Sequence, residues 1–172
     1  SGTYGYFLSK FNAKSLEPIM LRPFQFIHDE NIHNVVIQGF AEDIASSITA
    51  DGCYIDPPYM KRQYAANYHI LETIARGDFP ETIGKSGLRN WWDQHSKFCT
   101  KTKIRESFSK VITEMNCNKF IISYSEDGLL SLNELIDLFS KFGEVKYRTI
   151  EHSRFRSNKS NLSKKLNEYV II

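Results

Sequence analysis

Four consecutive residues, Asp56-Pro57-Pro58-Tyr59, carry the most specific chemical signal in the chain. The carboxylate of Asp56 can accept a hydrogen bond from an exocyclic amine. The two prolines stiffen the turn and bring no amide donor of their own. The Pro57 carbonyl is thereby left to accept the second amine hydrogen. Tyr59 offers a flat face for stacking, worth about 1–3 kcal/mol per base. Two acceptors beside one stacking surface suit an adenine swung out of its duplex, with its amino nitrogen as the atom to be alkylated. A rigid turn closed by a packed tyrosine could use the same residues, so the position of the tetrapeptide in the fold decides between the two.

That position is favourable. The turn Asp51-Gly52 precedes a short apolar run, Cys53-Tyr54-Ile55, and the prolines end it because neither can donate to a ladder. In a parallel open sheet, ligands bind beyond the carboxyl ends of the strands. Other segments alternate in the same way. Residues 34–38 (NVVIQ) form a β-branched run ended by Gly39 and read as a buried strand. Residues 41–49 place Ile44 and Ile48 four apart, as in a short helix, and a second helix is expected near residues 68–75. Ile104, Phe108, Val111, Ile112 and Met115 keep helical spacing, and residues 119–124 (KFIISY) read as a third buried strand. Ser131 and Glu134 form a capping box for a helix carrying Leu132, Leu135, Ile136, Phe139 and Phe142 and ending at Gly143. Residues 144–150 and 168–172 read as closing strands joined by a basic loop. Strands alternating with helices predict an α/β fold: a mostly parallel sheet covered on both faces, with an antiparallel pair at one edge. Residues 1–30, broken by Pro18 and Pro23, read as an irregular segment ahead of a domain over residues 31–172.

Size and composition agree with one soluble core: 172 residues, 20.0 kDa, 41% hydrophobic and 24% charged. No stretch reaches the roughly 18–20 apolar residues that a membrane helix needs. Three scattered cysteines, Cys53, Cys99 and Cys117, exclude a disulfide framework and fit a reducing cytoplasm. The net charge of +2 is uneven: Lys146, Arg148, Arg154, Arg156, Lys159, Lys164 and Lys165 stand against Glu144 and Glu151. Lys97, Lys101, Lys103 and Arg105 form a second basic stretch. Each could be a solvated face or a phosphate contact.

The run Tyr54 to Tyr59, then Arg62-Gln63-Tyr64, Asn67-Tyr68-His69, residues 71–76 (LETIAR), Gly84-Lys85 and Gly87-Leu88-Arg89, resembles the Dam-like adenine-N6 DNA methyltransferases. The likeness is dense over residues 53–90 and looser from Asn34 onward, where residues 120–124 (FIISY) resemble the family strand whose Ser-Tyr end walls the target-base pocket. The resemblance implies a Rossmann-like class I methyltransferase sheet, S-adenosylmethionine as cofactor and DNA as partner. It implies that Asp56, Pro57, Pro58 and Tyr59 are catalytic, with Asp56 holding the amine beside the methionine end of the cofactor. It also implies that Phe40 packs on the cofactor's adenine and that Glu42 or Asp43 accepts from its amine.

One feature departs from the family. No Gly-x-Gly turn after a strand occurs in residues 1–55, and Gly2-Thr3-Tyr4-Gly5 follows no strand. The chain is therefore expected to be the C-terminal part of such an enzyme, residues 1–30 being the end of a target-recognition region. Its first strands and much of the cofactor pocket are expected on another polypeptide or to be missing. Arg62, Gln63, Arg89 and the basic loop with Arg154, Arg156 and Lys159 are the candidates for DNA contact. No metal is called for: His28, His33, His69, His95 and His152 show no ligand spacing, and only His69 lies in the dense match. Trp91-Trp92 reads as packing. An RNA adenine methyltransferase and a silent nucleic-acid-binding subunit stand as alternatives.

Overall fold

The computed structural model of the chain describes residues 13–20, 22, 23, 25, 31–153, 163 and 165–172. Most of the segment 1–30 and the loop positions Arg154, Arg156, Lys159 and Lys164 lie outside the described residues. Those described between 13 and 25 include one 3-10 turn, Ala13–Leu16.

The order of elements is α1 (Ala41–Ile44), β1 (Thr49–Ala50), β2 (Cys53–Ile55), α2 (Tyr64–Asn67), α3 (His69–Arg76), β3 (Thr82–Ile83), β4 (Leu88–Arg89), α4 (Ile104–Glu114), β5 (Asn116–Cys117), β6 (Phe120–Ser125), α5 (Leu132–Phe139), β7 (Tyr147–Ser153) and β8 (Lys165–Ile171). The central sheet has the order β2-β6-β8-β7. β2 runs parallel to β6, with Cys53 beside Phe120 and Ile55 beside Ile122. β8 lies antiparallel to β6 and to β7. The two closing strands pair antiparallel, and β8 sits inside the sheet with β7 at its edge. Two of the three pairings are antiparallel, which corrects the expectation of a mostly parallel sheet among the described residues. A loop connection can turn a chain straight back on itself, whereas parallel pairing needs a crossover. A second parallel bridge joins β1 to β5.

Helix α4 buries Ile104, Ser107, Phe108 and Val111, an i, i+3, i+4, i+7 stripe with one polar member. Helix α5 buries Leu135, Leu138 and Phe139. The two meet through Phe108 and Phe139, edge to face at 5.2 Å, and Phe108 also meets Phe98 at 5.0 Å. These side chains close over Ile122, Tyr124 and Ile171 of the sheet. The opposite face is only partly covered by described residues: Tyr54 on β2 is 63% exposed. Coverage of both faces is thus not seen among them.

Ser131 caps α5 as expected, its hydroxyl accepting from the Glu134 amide while Glu134 accepts from the Ser131 amide. Such a cap contributes about 1 kcal/mol. The helix stops at Phe139, short of Gly143, because the Phe142 amide turns to the Phe139 carbonyl three residues back.

Residues 34–38 form no strand. They belong to no helix or strand and are exposed, Val36 to 96%. A β-branched run becomes a strand only where a neighbour takes its hydrogen bonds, and among the described residues none lies alongside it.

Candidate active site

Asp56 follows β2 directly and is exposed, while Pro57 is buried and Tyr59 half-buried. Parallel pairing places this turn next to the carboxyl end of β6, where Tyr124 stands. The rings of Tyr59 and Tyr124 meet edge to face with centroids 5.8 Å apart. The Tyr59 carbonyl accepts the Leu129 amide at 2.9 Å, and the Tyr124 hydroxyl accepts the Leu130 amide at 3.2 Å. The loop after β6 is thereby fastened to both tyrosines. Gly128 completes the fit: a Cβ there would stand 2.2 Å from Cε1 of Tyr124. The sequence offered one overlooked signal for this loop, a glycine placed three residues after a strand end. Burial raises the Tyr59 phenol pKa, and the carboxylates of Glu168, Asp56 and Asp127 push it further.

The segment before β2 separates its two acidic candidates. Glu42 is buried and accepts the Ser107 hydroxyl proton at 2.7 Å. Asp43 is exposed, 3.6 Å from Lys110. Phe40 stands at the amino end of α1 with its ring partly exposed, and its carbonyl accepts the Asp43 and Ile44 amides.

Two candidates for DNA contact are committed within the chain. Gln63 is buried: its carbonyl accepts the Ser96 amide at 2.8 Å, and its amide donates to the Ser96 carbonyl at 3.0 Å. It pairs with Ser96 as a strand edge would. Arg89 makes a bidentate pair with Asp78, both contacts at 2.6 Å, and its side chain is only 11% exposed. That hydrogen bond holds the Asp78 carboxyl below the usual carboxylate range. Arg89 therefore braces the β3–β4 hairpin, antiparallel between Thr82–Ile83 and Leu88–Arg89, against α3. Arg62 is exposed. His69 is buried, with Nδ1 accepting the Arg89 amide at 3.5 Å. Trp91 and Trp92 stack on each other at 4.5 Å, with Trp92 exposed. In the second basic stretch, Lys101 and Arg105 pair with Glu134. Among the described residues no three His, Cys, Asp or Glu side chains gather as a metal site would need. No described helix is long and apolar enough to cross a membrane.

The sequence model of the D12 class N6 adenine-specific DNA methyltransferases matches residues 1–146. The chain belongs to this family. Type II methyltransferase M.FokI of Planomicrobium okeanokoites is 34% identical over 173 residues, 99% of this chain and 27% of that protein. Type II methyltransferase M.NlaIII of Neisseria lactamica is 34% identical over 160 residues, 93% of this chain and 47% of that protein. Type II methyltransferase M.CviAII of Paramecium bursaria Chlorella virus 1 is 33% identical over 173 residues, 99% of this chain and 50% of that protein. The chain thus spans about a quarter to a half of the curated relatives it matches. No solved structure matches it. For a chain of this methyltransferase family, the pairing of Asp56-Pro57-Pro58-Tyr59 with Tyr124 at two adjacent parallel strand ends makes that corner the candidate active site. A cleft of about 520 Å³ lies elsewhere: Lys119, Phe120, Phe142 and Val145 line it at the amino end of β6.

Proposed function

We propose that this chain carries the adenine-binding part of an enzyme that methylates adenine N6 in DNA, as part of a restriction-modification system. The observation that supports it is the exposed Asp56 carboxylate at the end of β2, beside the half-buried Tyr59 ring braced by Tyr124. Asp56 and the Pro57 carbonyl accept the two amine hydrogens. Their pull concentrates electron density on nitrogen and aims its lone pair at the incoming methyl group. Tyr59 stacks on the extruded base, and the Tyr124 edge limits its tilt. The proton lost from nitrogen passes to Asp56 and then to water.

The residues present fit part of a cofactor site. Phe40 offers a partly exposed ring and Asp43 an exposed carboxylate, while Glu42 is turned inward onto Ser107. Of the two acids, Asp43 is the one open to a cofactor's amine. S-adenosylmethionine would supply the methyl group as a sulfonium. The remaining anchors, and further strands of a Rossmann-like sheet, belong in this reading to another segment or a companion polypeptide. The outer edge of β2, unpaired among the described residues, and the exposed run 34–38 support that placement. Arg62, Gln63, Arg89 and the loop with Arg154, Arg156 and Lys159 are the DNA-facing candidates, of which Gln63 and Arg89 are also held by Ser96 and Asp78.

The test is product identification. The chain, with any companion polypeptide, is incubated with labelled S-adenosylmethionine and duplex DNA, and the nucleosides are separated by mass. N6-methyladenine is expected. A methylated cytosine, or methyl transfer to structured RNA alone, would refute the reading.

A further inference from the structure

The candidate active site is built from two loops, one after β2 and one after β6, and residues 96–105 touch both. This segment is anchored in the core: Phe98 and Cys99 are buried, and the Phe98 ring meets Phe108. It grips the loop after β2 through Ser96 and Cys99. The Ser96 backbone exchanges hydrogen bonds with the Gln63 side chain, and the Cys99 thiol donates to the Arg62 carbonyl at 3.5 Å. It grips the loop after β6 through Lys101, whose ammonium donates to the Leu129 carbonyl at 2.5 Å.

That carbonyl belongs to the same peptide group as the Leu130 amide, which donates to the Tyr124 hydroxyl at 3.2 Å. The Leu129 amide, one peptide earlier, donates to the Tyr59 carbonyl at 2.9 Å. Lys101 therefore holds the short stretch of backbone that is fastened to both tyrosines. A cation on the carbonyl also polarises the peptide and strengthens its N–H as a donor. The ammonium is aimed by Glu134, 3.2 Å away. Glu134 is itself fixed by the Ser131 amide and by Arg105. An exposed ion pair alone contributes little, but here the carboxylate is already set and the ammonium has a second, directed acceptor. We propose that Lys101 is a positioning residue for methyl transfer: through the Leu129–Leu130 peptide it holds Tyr59 and Tyr124 in the arrangement against which the extruded adenine stacks. This inference rests on the adenine methyltransferase reading.

The test compares wild type, Lys101→Met and Tyr59→Ala in the methylating form of the protein, saturated with S-adenosylmethionine. Lys101 is 57% exposed, so the fold should survive its replacement, and melting temperatures are measured alongside. With adenine at the target of a duplex, Lys101→Met should lower kcat about tenfold, within the ~10²-fold that a misplacement of about 1 Å can cost. The Kd for DNA and its salt dependence should not change. With 2-aminopurine at the target, whose emission reports stacking, the bound-state emission of Lys101→Met should move from the wild-type value toward that of Tyr59→Ala. A wild-type kcat, or a wild-type emission whatever the rate, would overturn the proposal. A log–log salt slope flatter by about 0.9 would overturn it too, and assign the ammonium to a phosphate. Tyr59→Ala separates the two levels. If it matches wild type in rate and emission, the reading of the site itself fails. If it is impaired while Lys101→Met matches wild type, only the role of Lys101 fails.

Discussion

Replacing Gly128 by Ala should destabilise the fold and disturb the active corner together. The backbone at Gly128 is not in the left-handed region, so the cost is steric alone. The added methyl would stand 2.2 Å and 2.7 Å from Tyr124 ring carbons and 2.9 Å from the Ser125 carbonyl oxygen. Carbon atoms settle near 3.5–4.0 Å apart, so ring or loop must move by more than about 1 Å. The ring cannot yield easily, since it is buried among Phe108, Tyr59 and the core. Overpacking of this kind costs about 1–3 kcal/mol. Loss of the Tyr124–Leu130 hydrogen bond adds about 1 kcal/mol. A total of roughly 2–4 kcal/mol should lower Tm by about 5–12 °C for a chain of this size. Urea melts of Gly128→Ala, Tyr124→Leu and the double variant measure it. The double variant should lose clearly less than the sum, because shortening the ring removes the clash. A Gly128→Ala variant within about 0.5 kcal/mol of wild type, or strictly additive losses, would refute the reasoning.

Three further outcomes are expected. Ser107→Ala should cost about 1–3 kcal/mol in a denaturant melt, because it leaves the buried Glu42 carboxyl without its donor; a neutral result would show that Glu42 has another partner. The Glu134 carboxyl is held down to about 2 from 4.5 by the Ser131 amide and hydroxyl, and then by Arg105 and Lys101. A depressed folded pKa stabilises above the unfolded value, and that stability is lost as pH falls from about 4.5 to about 2. Stability against pH should therefore fall less steeply in Glu134→Gln over that window, and parallel curves would contradict the assignment. Replacing Arg154, Arg156 and Lys159 by Ala should weaken DNA binding for all sequences alike and flatten its log–log salt slope by up to about 3, near 0.9 for each phosphate no longer neutralised; an unchanged slope would return the loop to a solvated face.

Local signals in the sequence were legible, and long-range ones were not. The capping box of Ser131 and Glu134 spans three residues, and the strand Cys53–Ile55 is bounded by a turn on one side and prolines on the other. Asp56 and Tyr59 stand out as candidates because the tetrapeptide carries its chemistry within itself. Residues 34–38 misled because strand propensity says nothing about whether a partner edge is near. The internal partners of Gln63 and Arg89 were hidden for a related reason. A polar side chain in a dense motif looks available until its partner is known, and Ser96 and Asp78 lie 33 and 11 residues away. The antiparallel insertion of β8 depends on register that no single strand encodes.

In this reading Asp56 holds the amine that receives the methyl group, and that role is the keystone of the proposed chemistry. It is tested most directly by the initial rate of methyl transfer to duplex DNA by Asp56→Ala, measured beside its melting temperature. Asp56 is exposed at a strand end, outside the core. Transfer should be abolished while melting stays close to wild type. Methylation near the wild-type rate in a folded Asp56→Ala protein would contradict it.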